Sequence, residues 1–96
     1  MAETAYYACD YTNYIAAWKR FLNLKPDIYE AWNSKGTALC KAVNNVEAID
    51  AYNQAITIKP DYYEAWKNKT SALFRLGRSE EAVPSHKQTR KLKPTS

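Results

Sequence analysis

The chain has 96 residues, 46% of them hydrophobic and 25% charged, a balance that fits one small domain with a modest core and excludes a disordered segment. Its apolar runs are only a few residues long, which excludes a membrane-spanning helix. Net charge is +4, and the two cysteines, Cys9 and Cys40, stand too far apart for a metal cluster or a disulfide framework. They read as reduced thiols.

The opening stretch MAETAYYACD has neither a basic segment nor a long apolar one, so it does not read as a signal peptide, and the expected location is cytoplasmic. A helix is expected over roughly Tyr11 to Leu24, crowded with Tyr14, Ile15, Trp18, Phe21, Leu22 and Leu24. Beyond it, Pro26, Pro60 and Pro94 stand 34 residues apart, and the chain copies itself between them. From Asp27 it runs DIYEAWNSKGTALC; from Asp61 it runs DYYEAWKNKTSALF. A fixed period of this length signals a stacked repeat, in which each unit buries its apolar face only against its neighbours.

Both full copies open on Pro-Asp with a glutamate three residues after the aspartate, Asp27 with Glu30 and Asp61 with Glu64. The pattern predicts a reciprocal cap on a first helix. Apolar positions follow at helical spacing, Trp32, Leu39 and Val43 in one copy, Trp66, Leu73 and Leu76 in the other. After a break at Asn44–Asn45, or at Gly77–Ser79, a second helix runs to the next proline. Gly77 suits a left-handed helix end, and Ser79 can cap the helix that follows. Gly36, Ala48, Ala55 and Ala82 are small where two helices should approach closely. A larger side chain there would overpack the contact at a cost of about 1–3 kcal/mol. Each copy is therefore a helix–turn–helix.

These residues resemble the tetratricopeptide repeat (TPR). The family pattern appears as Trp32, Gly36 and Leu39 and continues as Ala48, Tyr52, Ala55 and Pro60. The last copy gives Trp66, Thr70, Leu73, Gly77, Ala82, His86, Thr89 and Pro94, departing at Thr70, His86 and Thr89. The resemblance implies an all-α fold of antiparallel helix–turn–helix repeats in a short right-handed superhelix. It makes residues 1–96 a single domain: a truncated first repeat over 1–26, a full repeat over 27–60, and a full repeat over 61–94 whose polar last helix acts as a cap.

The same resemblance implies a protein-interaction module, an adaptor or scaffold that holds a peptide in a concave groove lined by the first helices. On this chain the groove residues are Asn33, Ser34, Thr37 and Lys41 from one helix, and Lys67, Asn68, Ser71 and Arg75 from the next. Glu30 and Glu64 stand beside them, and Tyr6 and Tyr7 are placed at the N-terminal rim. One TPR subclass grips chaperone C-termini with a Lys/Asn/Lys/Arg clamp. Asn68 matches an Asn of that clamp, whereas Asn33 and Thr37 replace its Lys–Asn pair, so chaperone binding is not assigned.

The two ends depart from the middle. Tyr14 and Phe21 take positions where the middle repeat has Ala48 and Ala55, which leaves two arrangements open. Either the segment from Ala2 to Ala8 folds over these aromatics, or Tyr7, Tyr11, Tyr14, Trp18 and Phe21 form a surface that pairs with a second copy as a homodimer. At the other end the positive charge gathers, with Lys87, Arg90, Lys91 and Lys93 on the final helix. That cluster reads as a solvated face, with nucleic acid as the lesser alternative.

Nothing points to an enzyme. The sole histidine, His86, has no carboxylate or nucleophile beside it in sequence and replaces the packing residue Tyr52, so it is expected to be a partly buried structural group. No phosphate loop, metal-spaced cluster or nucleophile motif occurs, so no catalytic, metal or cofactor-binding residue is assigned. Lys35 and Lys69 are expected to lay their stems along the helix pair with their ammonium groups in water, and Trp32 and Trp66 to serve the core.

Overall fold

The computed structural model describes residues 2–93, with side chains described from Thr12 onward. Five helices follow one another: α1 (Ala2–Leu24), α2 (Tyr29–Lys41), α3 (Asn45–Ile58), α4 (Tyr63–Arg75) and α5 (Ser79–Leu92). The loops between them have three or four residues, short enough to force antiparallel neighbours. Each helix packs on the next in the chain, and α2 also touches α4. This is the stacked helix–turn–helix architecture implied by the 34-residue period, and no strand occurs among the described residues.

The first helix is longer than expected. Rather than folding back over the aromatics, the segment from Ala2 to Ala8 continues α1 in one 23-residue helix. No glycine or proline precedes Pro26, apart from which nothing in this stretch would break a helix. The side chains of Tyr6, Tyr7, Cys9 and Tyr11 lie outside the described residues, as does Pro94.

The predicted caps are corrected as well. Helices α2 and α4 start one residue later than a cap by Asp27 or Asp61 requires, with Ile28 and Tyr62 at the cap positions and no side-chain cap bond. Asp61 instead pairs with Lys59 at 3.2 Å. The prolines contribute through their carbonyls: the Trp32 indole donates to the Pro26 oxygen at 2.8 Å, and that of Trp66 to the Pro60 oxygen at 2.7 Å. Each tryptophan thus ties its helix to the turn before it. Ser79 is not a cap either. Arg78 precedes α5 and grips Glu81 with two bonds of 2.7 and 2.8 Å. Only α3 has a side-chain cap among the described helix starts, where Asn44 accepts from the Glu47 amide at 3.5 Å and donates to its carboxylate at 2.9 Å.

Helices α2 and α4 end alike. Val43 and Gly77, one period apart, take φ of 61° and 74°. The next amide closes back on the helix in each case, Asn44 to the Leu39 carbonyl at 2.8 Å and Arg78 to the Leu73 carbonyl at 2.9 Å. Val43 is therefore not the core residue its spacing suggests, and it is 82% exposed. The apolar spacing runs two residues past Lys41, where α2 ends.

The core lies between α2, α3 and α4. Leu39, Ile49, Tyr52 and Leu73 fill it, with Ala48, Ala51, Ala72 and Ala82 between them. Tyr52 and Leu73 are its largest fully buried side chains. Tyr52 fits because Gly36 faces it: a Cβ on Gly36 would stand 2.5 Å from Cε1 of the ring. In the last repeat the pair is exchanged for Thr70 and His86. Thr70 occupies the space, its hydroxyl 2.7 Å from that of Ser85 and 3.3 Å from that of Thr89. The larger ring at the Tyr52 position has no gap to enter, and His86 is exposed rather than partly buried.

A valine at positive φ costs about 1–2 kcal/mol that glycine does not incur. Because Val43 buries little, Val43→Gly should raise stability by about 1 kcal/mol, seen as a higher urea midpoint with an unchanged slope.

Candidate peptide groove

Helices α2 and α4 present equivalent positions one period apart: Asn33 with Lys67, Ser34 with Asn68, Thr37 with Ser71, and Lys41 with Arg75. The Asn68 amide donates to Asn33 Oδ1 at 3.0 Å and links the two helices directly. That bond leaves Asn68 Oδ1 and a second amide proton without a partner among the described residues. Sequence reasoning placed both asparagines on the groove but missed the bond, since their separation of 35 matches neither a helical turn nor the repeat period.

The eight expected groove residues do not share one cavity. Ser34, Thr37 and Lys41 line a cavity of about 230 Å³ with Tyr14 of α1. Lys67 and Ser71 line a larger one, about 660 Å³, between α4 and α5. The Asn33–Asn68 pair lies between the two groups in the order of the helices. Arg75 is exposed at the end of α4, close enough to the Tyr52 hydroxyl to favour its ionised form slightly.

Thr37 is less available than its neighbours. Its hydroxyl donates to the Asn33 carbonyl at 3.1 Å and lies 3.3 Å from the Tyr52 hydroxyl, so it can offer a ligand only an acceptor. Burial strongly raises the Tyr52 pKa, and its hydroxyl donates to Cys40 Sγ at 3.6 Å. This part of the groove wall is thus fastened to the core.

Charge is graded along α2 and α4. Lys41 and Arg75 occupy the last turns of α2 and α4, and Glu30 and Glu64 the first turns. At the acidic end the Tyr62 hydroxyl is shifted upward in pKa, first by burial and then by Glu30 and Glu64. Tyr62 packs edge-on against Tyr29 at 4.8 Å, which closes that end with aromatic surface. Lys35 and Lys69 are not groove ligands. Their ammonium groups sit over the indoles of Trp32 and Trp66, 5.1 and 5.2 Å from the ring centres, on half-buried side chains. Desolvation is the leading cause that lowers the pKa of both.

The aromatic face of α1 adjoins the smaller cavity through Tyr14. Tyr14, Trp18 and Phe21 form an edge-to-face chain with centroid distances of 6.1 and 5.8 Å. Tyr14 is 53% and Phe21 39% exposed, whereas Ala48 and Ala55 at the equivalent positions are fully buried. Trp18 Nε1 is buried with no hydrogen-bond partner among the described residues. Elsewhere among the described residues, no three metal-ligating side chains converge, and no helix is long and apolar enough to cross a membrane.

No family profile and no curated protein matches the sequence. Solved structures do. A structure of MamA AMB-1 is similar over 88% of this chain and 49% of its own, with a TM-score of 0.84 at 23% identity. A crystal structure of MamA superposes with a TM-score of 0.83 at 25% identity, over 86% of this chain and 48% of its own. The second TPR of Spaghetti (RPAP3), solved bound to the HSP90 peptide SRMEEVD, gives a TM-score of 0.82 at 22% identity, over 86% of this chain and 77% of its own. The chain spans about half the length of the MamA structures it matches. With its own 34-residue period and five stacked helices, the chain is a helical repeat protein of TPR-like fold.

Proposed function

We propose that the chain is a protein-interaction module, an adaptor or scaffold without a catalytic step, that holds a peptide along α2 and α4. The observation that carries this reading is the Asn33–Asn68 bond, which aligns two helices and leaves polar amide groups for a peptide backbone. Ser34 and Ser71 add hydroxyls on either side, and Thr37 adds an acceptor. The charge gradient sets a direction: an acidic side chain or C-terminal carboxylate lies toward Lys41 and Arg75, and a basic group toward Glu30 and Glu64. A TPR of similar fold binds a peptide in its solved structure, which supports the class of ligand. Calorimetric titration with peptides selected from an unbiased eight-residue library tests the groove. Asn68→Ala and Arg75→Ala should each weaken binding about 5- to 50-fold, the range for losing a neutral or a charge-assisted hydrogen bond, with helix content unchanged. Unchanged affinity in both variants would remove the groove from the account.

A second reading concerns α1. The exposed rings of Tyr14 and Phe21, joined through half-buried Trp18, support a homodimer through this face, alongside peptide binding. Two-fold pairing is the commonest way such a surface is covered. Sedimentation equilibrium should then give a concentration-dependent dimer that Phe21→Ala together with Tyr14→Ala returns to monomer. A wild-type chain that stays monomeric at high concentration excludes it.

A further inference from the structure

The repeat allows one surface to be compared with itself. In the middle repeat α4 lies across α2 and α3, with Tyr62 edge-on to Tyr29 and Asn68 bonded to Asn33. Moved along by 34 residues, the seat that α4 occupies becomes the 660 Å³ cavity on α4 and α5. The substitutions that change charge at this second seat all add positive charge. Asn33 becomes Lys67, Ile56 becomes Arg90 and Tyr52 becomes His86, while Lys59 is retained as Lys93. Three cations and a histidine therefore line the cavity, and no acidic side chain does. None of Lys67, Arg90 or Lys93 makes an ion pair among the described residues. Phe74 stands where the first seat has Cys40, is 51% exposed, and gives the cavity an apolar wall beside Tyr63.

We infer that this end cavity is the docking seat for an acidic helix of a partner protein, lying on α4 and α5 as α4 lies on α2 and α3. The shape follows from the first seat, which holds a 13-residue helix. The charge follows from the three cations lining the cavity, which carboxylates on an entering helix complement. An apolar residue on the same helix face meets Phe74 and Tyr63. A peptide helix fits better than nucleic acid, because the cations share one cavity with Phe74 and Tyr63 and match in form the seat that already holds a helix. The inference goes beyond the groove reading, shares only Lys67 and Ser71 with it, and stands if that reading fails.

The test uses the full chain and a panel of stapled 14-residue amphipathic helices carrying zero, two or four glutamates around an apolar stripe. Affinity by fluorescence anisotropy should rise at least 10-fold from the neutral to the four-glutamate peptide. Amide shifts on binding should be confined to α4 and α5. Arg90→Glu and, separately, Lys93→Glu should each weaken the acidic peptide at least 10-fold. Both side chains are exposed, so helix content and melting should be unchanged. Asn68→Ala and Lys41→Ala, which disable the groove, should leave this binding intact. Affinity independent of glutamate count, no loss in either charge-reversal variant, or shifts centred on α2 would overturn the inference. So would a 20-nucleotide single-stranded DNA that binds the same residues more tightly than every peptide.

Discussion

The packing of this small protein depends on the contact between Gly36 and Tyr52. A repeat of two helices has no core of its own and must bury its apolar face against its neighbours. Tyr52 supplies that burial in the middle of the stack, where it is enclosed with Leu39, Ile49 and Leu73. The ring can lie there only because α2 offers bare backbone at Gly36. The same ring reaches the candidate groove, since its hydroxyl lies against Thr37 and Cys40. The core and the Thr37 position of the candidate groove therefore share one residue.

The last repeat shows what happens when that contact is exchanged. Thr70 replaces the glycine, and a buried set of three hydroxyls, Thr70, Ser85 and Thr89, replaces the aromatic ring. These hydroxyls satisfy one another and the carbonyls of Trp66 and Ser85, so the polar substitution leaves no stranded donor. The displaced side chain, His86, turns to the surface and joins Lys67, Arg90 and Lys93. One steric exchange in the interior thus changes the chemistry of the end of the stack.

Much of the fold was legible because the period is a physical quantity: the prolines, the tryptophans and the small residues recur at the spacing of the helix pairs. The misses have local causes. Val43 continues the apolar rhythm of α2 by one step, and rhythm does not reveal that the backbone has already turned left-handed. Asp27 and Asp61 have the right chemistry for caps but stand one residue early, because the proline carbonyls are fixed by the indoles of Trp32 and Trp66. His86 was assigned a partly buried place by equivalence with Tyr52, although its partner position, Thr70, had already closed the gap. On the groove, side-chain types and faces could be read, but the Asn33–Asn68 bond and the division into two cavities depend on how one helix pair sits on the next.

The claim on which the rest stands is that Gly36 and Tyr52 are energetically one unit. A double-mutant cycle in urea, combining Gly36→Ala with Tyr52→Leu, measures that directly. The account predicts that Gly36→Ala costs about 1–3 kcal/mol while the tyrosine ring is present, as an overpacked contact does, and far less once leucine has replaced it. Costs that simply add, with no coupling between the two positions, would contradict it.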